Sequence, residues 1–228
     1  MIINLISRAH QLLIVIADDW KTTNANMYCF DIDDNSNHLK RHSIPVVIGK
    51  NGLAWEDYTL QALEPNIATK TEGDSKAPAG VFTLGKSFGF GATVNKYYPD
   101  YVELNTCIEC VHDMKSRYYN QIINNKNISQ DWSSSEKMST IDIYKYGLEV
   151  QYNHSLTVAG KGSCIFIHIW KGSNIGTEGC TAMAESDMIN VLKWLDYNKK
   201  PVLIQLTKAV YKRVQQDWQL PKVRELYE

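Results

Sequence analysis

The chain has 228 residues, which is enough for one large domain with a sizeable hydrophobic core. Hydrophobic residues make up 44% of it and charged residues 21%, a composition that excludes disorder over most of its length. The 24 Lys and Arg nearly balance the 25 Asp and Glu, which leaves no positive field to attract nucleic acid or acidic lipid.

The longest aliphatic run covers residues 12–17, whereas a membrane-spanning helix needs about 20 apolar residues. The run is also too short for the apolar part of a signal peptide. We therefore expect no transmembrane segment. No repeat or linker-like tract divides the chain, so we expect one compact unit over residues 1–228.

Short β-branched or apolar runs between turn residues predict strands along the chain. In chain order they cover residues 11–17, 27–31, 43–49, 80–85, 101–104, 148–152, 163–170 and 201–207. Helical patterns come later, at residues 134–144, at 188–195 with Ser186 as N-cap, and at 208–218 before Pro221. Together these elements predict a mainly β architecture with a few peripheral α-helices.

Five cysteines are too few and too irregularly spaced for a disulfide scaffold: Cys29, Cys107, Cys110, Cys164 and Cys180. An oxidising compartment would allow up to two bridges and a free thiol, and a reducing one five thiols. A bridge involving Cys110 and Cys164 is conceivable in a periplasmic protein, but spacing does not select it. His112 follows a C-x-x-C pair, yet no second ligand pair follows at suitable spacing, so we predict no metal site.

The most informative stretch is GSCIFIHIWKGSNIGTEGCTAM, residues 162–183. In the predicted strand 163–170, side chains alternate between two faces, so the isoleucines share one face while His168 shares the other with Cys164, Phe166 and Trp170. His168 is then either a core histidine with a satisfied hydrogen bond or a base held by a stiff strand.

Cys180 follows His168 by 12 residues, after a glycine-containing turn and before a predicted helix. Nucleophilic acyl transfer needs a thiolate, a nearby base and backbone N–H groups directed at the oxyanion. An imidazole partner can lower the pKa of a thiol from about 8.5 to roughly 3.5–7.5, so we expect an acidic Cys180. The alternative is a small buried cysteine that only packs.

The pairing of His168 with TEGCTAM resembles the active-site signature of the L,D-transpeptidase catalytic domain, the YkuD-like family. Four other blocks resemble one branch of that family: VVIGKNGLAW, KTEGDSKAPAGVFTLG, ECVHDMKSRYYNQI and GKGSCIFIHIW. The resemblance extends over about residues 12–206.

The resemblance implies a β-sandwich-like catalytic domain that acts on peptidoglycan stem peptides without a cofactor. It implies that Cys180 attacks an L-to-D peptide bond, with His168 as base and the backbone around Gly179 and Cys180 as oxyanion hole. An amine then resolves the thioester into a cross-link, or water resolves it in a carboxypeptidase. A wall-binding module without turnover is the alternative from another functional class.

The sequence departs from the common family pattern in three respects. The interval between His168 and Cys180 is short, Glu178 replaces a histidine, and Ala182 replaces an arginine. The missing arginine removes a fixed cation that could hold a substrate carboxylate. The reaction class therefore follows from the sequence more directly than the identity of the donor and acceptor stems.

Further residues are candidates for substrate binding. Lys70 and Glu72 are expected to form a charged rim, although a solvated loop of ion pairs fits equally. Tyr119 and Asn120 could line a peptide cleft or serve as turn residues, Trp170 could wall the pocket or cap the core, and Thr177 belongs to the active-site segment. Because the implied substrate is peptidoglycan, we expect a periplasmic or cell-envelope protein whose leader peptide is absent from this chain. The oligomeric state does not follow from the sequence.

Overall fold

This computed structural model describes residues 2–33, 35, 37–90 and 100–226. The strands are β1 (Gln11–Ala17), β2 (Asn24–Ile32), β3 (His38–Val47), β4 (Leu53–Trp55), β5 (Ala77–Gly89), β6 (Val102–Glu103), β7 (Ile108–Val111), β8 (Gln121–Asn124), β9 (Ser135–Lys137), β10 (Tyr146–Val150), β11 (Phe166–Ile169), β12 (Thr181–Met183) and β13 (Val202–Thr207). The α-helices are α1 (Ile2–Ile6), α2 (Tyr58–Gln61), α3 (Glu185–Trp194) and α4 (Lys208–Val214). Single 3-10 turns occupy Asn125–Asn127, Met138–Thr140, Asp142–Tyr144, Tyr197–Lys199 and Arg224–Leu226.

A large sheet runs in the order β10-β11-β12-β3-β2-β1-β13-β5-β4. The long strand β5 closes this sheet on itself. The first part of β5 pairs with β13 and the second part pairs with β10, the strand at the other end of the order. The prediction of a mainly β fold with a few helices is confirmed. The closure of the sheet through β5 comes from long-range pairing and has no local pattern in the sequence.

Every residue of β1 is buried, between β13 in parallel and β2 in antiparallel register. Its uninterrupted apolar sequence is what a strand covered on both faces requires. The other predicted runs also overlap strands, with shifted ends. Five short strands escaped prediction: β4, β7, β8, β9 and β12.

The predicted strand 163–170 is shorter than expected and begins at Phe166. Cys164 has a φ of 54°, in the left-handed region, so the backbone before Phe166 cannot continue the strand. The alternation of side chains nevertheless holds. Ile165 and Ile167 pack in the main core, while Cys164 and Phe166 pack in a second, smaller core on the other side.

Two helix predictions need shorter or shifted bounds. Helix α3 begins at Glu185 with Ala184 at the N-cap, so the prediction of Ser186 as cap is wrong. No side chain caps the start of α3. The acidic residues in its first turn instead interact favourably with the positive end of the helix dipole. Helix α4 ends at Val214 rather than at residue 218, and turns follow it as far as Gln219, whose φ is 54°.

The predicted helix over residues 134–144 is wrong. Those residues form β9 and two 3-10 turns, and β9 pairs with β7 in a separate three-stranded sheet of order β8-β7-β9. Met138 and Ile141 are the apolar residues that suggested a helix there. Met138 is instead buried in the second core, and Ile141 packs against it. The second core therefore joins the small sheet to the outer face of β11.

Candidate active site

The two predicted catalytic residues lie on neighbouring parallel strands. His168 is in β11 and pairs in register with Ala182 of β12, and Cys180 immediately precedes β12. This register brings Cys180 beside Phe166, whose backbone N–H donates to Cys180 Sγ at 3.3 Å. The 12-residue interval between His168 and Cys180 is therefore just long enough for the chain to leave β11 and return to start the adjacent parallel strand β12.

The turn before Cys180 requires glycine at residue 179. Gly179 has a φ of 142°, and a Cβ added there would lie 2.9 Å from a backbone carbonyl oxygen, that of Lys76. The Thr177 hydroxyl braces the turn, because it donates to the Cys180 carbonyl at 2.6 Å and accepts from the Gly179 N–H at 3.1 Å. Thr177 thereby sets the backbone conformation that presents the thiol.

Cys180 is only 8% exposed. Besides the contact with Phe166, its thiol donates to the Cys164 carbonyl at 3.5 Å. Burial raises the pKa of Cys180 to about 12, and the nearby carboxylate of Glu136 adds to the rise. The expectation of an acidic thiol is therefore not met in this structure, where Cys180 is a neutral thiol at pH 7.

His168 is 3% exposed, and burial lowers its pKa to about 4, so its ring is neutral at pH 7. Its Nδ1 lies 2.7 Å from the Ile169 carbonyl oxygen. Since a carbonyl only accepts, Nδ1 carries the proton and Nε2 is left with a free lone pair. No hydrogen bond joins His168 to Cys180 Sγ among the described residues. A neutral base and a neutral nucleophile thus share the site.

Both residues line a cleft with a volume of about 620 Å³. Five of the predicted residues also line this cleft: Lys70, Glu72, Trp170, Thr177 and Gly179. A thiol, an unprotonated imidazole nitrogen and charged side chains of both signs in one cleft make up the groups that acyl transfer from a polar peptide requires.

A family model, YkuD, described as the L,D-transpeptidase catalytic domain, matches residues 13–204. The chain belongs to the L,D-transpeptidase catalytic domain family. The match confirms the resemblance and includes all the residues of the cleft discussed above. Members of this family are typically enzymes that act on peptidoglycan and are associated with the cell wall. No match was found among curated proteins or among solved structures.

Lys70 is a buried cation in this family member, not part of an exposed rim. It is 2% exposed, and its Nζ donates to Asp74 Oδ1 at 2.8 Å. Its Nζ also lies 3.5 Å from the position of a Cβ built on Gly179. The ion pair therefore lies directly behind the turn that carries Cys180.

Tyr119 and Asn120 do not line the cleft of this transpeptidase-family chain but support its wall. The Tyr119 hydroxyl donates to the Glu72 carboxylate and accepts from the Gly162 N–H, and burial raises the pKa of Tyr119. The Asn120 amide oxygen accepts from the Cys164 N–H at 2.9 Å, while its nitrogen donates to two backbone carbonyls. Substrate contacts by Tyr119 and Asn120 stay a prediction.

One disulfide joins Cys110 of β7 to Cys164, which precedes β11. Cys29, Cys107 and Cys180 are free thiols. Of the pairings that the sequence left open, the structure thus contains one bridge, and it fastens the small sheet to the strand that carries His168. Cys110 is consequently not available as a thiolate ligand. No group of three or more His, Cys, Asp or Glu suited to a metal occurs in the part of the chain that the structure describes.

The residues of the cleft that the sequence analysis missed include Glu136 and Tyr144. Both lie in the stretch interpreted as a helix, where their roles depend on strand pairing that no local pattern indicates. The Tyr144 ring packs edge-on against His168, with 5.2 Å between ring centroids.

None of the helices within the described ranges is both long enough and apolar enough to cross a membrane.

Proposed function

We propose that this protein is a cysteine acyltransferase that cleaves an L-to-D peptide bond in peptidoglycan stem peptides and transfers the acyl group to an amine. The observation that carries the proposal is the presence of Cys180 and His168 on adjacent strands of one cleft, in a chain of the L,D-transpeptidase family. No cofactor enters the proposed reaction.

The neutral state of both groups defines the first step. His168 Nε2 takes the proton of Cys180 Sγ as the sulfur attacks the substrate carbonyl carbon, so the thiolate forms only as the S–C bond forms. The C–N bond then breaks, and the imidazolium returns the proton to the departing D-amino acid. The remaining thioester is resolved when an acceptor amine forms a new C–N bond and the C–S bond breaks.

The oxyanion formed in each step needs a backbone donor. The Gly179 N–H is already used by Thr177 Oγ1, whereas the Cys180 N–H has no partner within the described residues. We assign the oxyanion contact to the Cys180 N–H, and to Gly179 the conformation that exposes it. This refines the expectation that the backbone of both residues takes part.

Lys70 supplies the fixed positive charge of the site. Residue 182, where the family pattern has an arginine, is an alanine with 0% exposure, so no cation projects from there. The Lys70–Asp74 pair lies behind Gly179 and takes over part of that electrostatic role toward the developing oxyanion or a substrate carboxylate. Glu72 and Trp170 form the cleft wall that contacts the stem peptide.

The protein acts in the periplasm or cell envelope, where its substrate lies. The disulfide between Cys110 and Cys164 supports this location, because such bridges persist in oxidising compartments and are rare in the cytosol.

The test is incubation of the full chain with disaccharide-tetrapeptide stems, followed by chromatography and mass spectrometry of the products. A 3-3 linked dimer that disappears in Cys180→Ala, but persists in the control Cys107→Ala, is the expected result. Free tripeptide without dimer would identify a carboxypeptidase on the same site. Binding of stems that survives Cys180→Ala, with no product from the native protein, would overturn the proposal in favour of a wall-binding module.

A further inference from the structure

Glu136 is a second ionisable group in the catalytic cleft, and the mechanism above leaves it unused. Its carboxylate lines the same cleft as Cys180 and His168. Glu136 Oε2 accepts a hydrogen bond from the Tyr144 hydroxyl at 2.7 Å, and the ring of Tyr144 packs against His168. The carboxylate is thereby oriented by a residue that also contacts the base.

The fold ties Glu136 to the nucleophile through the second core. In the register of β9 against β7, Glu136 lies opposite Cys110. Cys110 is bonded to Cys164, whose carbonyl oxygen accepts from Cys180 Sγ. Strand pairing, a covalent bridge and a hydrogen bond thus connect the carboxylate to the thiol, so their relative position is set by rigid elements.

Glu136 forms no ion pair among the described residues, whereas Glu178 and Asp74 each pair with a lysine. Of the three lysines that line the cleft, Lys50 pairs with Glu178 and Lys70 pairs with Asp74, while Lys171 forms no ion pair among the described residues, with Glu136 or with another carboxylate. In the same small sheet, Glu109 accepts from Lys137 and three further side chains. A half-buried carboxylate with only a tyrosine hydroxyl as donor keeps lone pairs free to accept from a cationic group.

In the proposed reaction, the cationic group that approaches the thioester is the ammonium form of the acceptor amine. Glu136 is close enough to Cys180 for its charge to raise the pKa of the thiol, and burial raises its own pKa to about 7. The groups that face it are Tyr144, Cys180 and, at longer range, Glu72. A primary ammonium group bound there would be near the carbonyl carbon attached to sulfur, which is where an acceptor amine has to attack.

We propose that Glu136 binds the ammonium group of the acceptor amine and takes its proton when the thioester is resolved. This inference rests on the proposed acyl transfer. The ammonium gives one proton to the Glu136 carboxylate, the freed nitrogen lone pair attacks the thioester carbon, and the C–S bond breaks. The second proton of the attacking nitrogen passes through His168 to Cys180 Sγ, and Glu136 releases its proton to solvent.

The test separates the two halves of the reaction. Acyl-enzyme formation from a tetrapeptide stem is followed by intact mass, and aminolysis of the isolated acyl-enzyme is followed at varied concentrations of a primary amine. In Glu136→Gln we expect acylation at least as fast as in the native protein, because the charge that raises the pKa of Cys180 is removed. We expect the rate constant for the amine to be lower by about 100-fold, the lower range for general acid–base catalysis. Glu185→Gln removes a carboxylate paired with Lys145 outside the cleft and is the matched control.

The pH profile distinguishes a catalytic role from a structural one. In Glu136→Gln, aminolysis should rise about tenfold per pH unit below the pKa of the amine, because only the free amine reacts, and hydrolysis of the acyl-enzyme should stay unchanged. Tyr144→Phe keeps the ring and loses the hydroxyl, and should lower aminolysis less. Equal loss of acylation and aminolysis, or unchanged aminolysis, in Glu136→Gln would overturn the inference. No acyl-enzyme in the native protein would instead refute the proposed function.

Discussion

Removal of the disulfide should destabilise the protein by an amount set by the length of the loop that it closes. Cys110 and Cys164 are 54 residues apart in sequence. In the chain-entropy model, a bridge over this separation stabilises the folded state by about 4 kcal/mol at 25 °C. For a chain of this size, each kcal/mol shifts Tm by about 2–4 °C, so the double variant Cys110→Ala/Cys164→Ala should melt about 8–16 °C lower.

The assay is thermal unfolding followed by circular dichroism, with Cys107→Ala as matched control. Cys107 is a free, partly exposed thiol in the same C-x-x-C pair, so its replacement should change Tm by no more than a few degrees. A reductant should lower the Tm of the native protein toward that of the double variant and leave the double variant unchanged. If the double variant has the same Tm as the Cys107→Ala control, the bridge does not stabilise the attachment of the small sheet to the main one, and the reasoning is refuted.

Three further predictions concern the nucleophile, the base and the turn. Site-mapped alkylation by iodoacetamide at pH 7.5 should modify Cys107 before Cys180, whose labelling should rise steeply only above pH 9, because burial raises its pKa to about 12. A Cys180 rate that levels off by pH 8 would contradict this. Because the pKa of buried His168 is lowered from 6.5 to about 4, its contribution to stability is complete above pH 6.5 and is lost as pH falls through 4. The loss amounts to about 3 kcal/mol in urea titrations and should be absent in His168→Asn. Gly179→Ala should abolish acylation and lower stability by about 1–3 kcal/mol in the same titrations. Gly73 has a φ of 74°, so Gly73→Ala carries similar backbone strain, but no atom lies within 4 Å of the added Cβ; this variant should lose stability and keep acylation.

The local patterns of the chain were sufficient for the two strands of six or seven residues that are buried along their whole length, β1 and β13. Strand β1 was predicted with its observed bounds, because an apolar run between polar turns matches burial on both faces. Strands β7, β8 and β9 were not predicted, since they have only three or four residues and several of these are polar. Their existence depends on pairing with one another and on the cover of the second core.

The sequence also points to the pair that we propose to react, for a simple geometric reason. His168 and Cys180 belong to one strand, one turn and the start of the next strand, so a contiguous segment contains both. Glu136 comes from a distant part of the chain and enters the cleft because its strand pairs with β7 and because β7 is bonded to Cys164. No periodicity or spacing within residues 134–144 carries that information.

The charge states of the site were decided by tertiary structure alone. The sequence places a cysteine and a histidine in one segment, and that pairing favours a thiolate and an imidazolium. In the folded protein both side chains are almost completely removed from water, and desolvation disfavours the charged form of each. Residue types and their order therefore indicated which groups we propose to react. Burial, which depends on every strand packed around them, determined that they meet as a neutral thiol and a neutral imidazole.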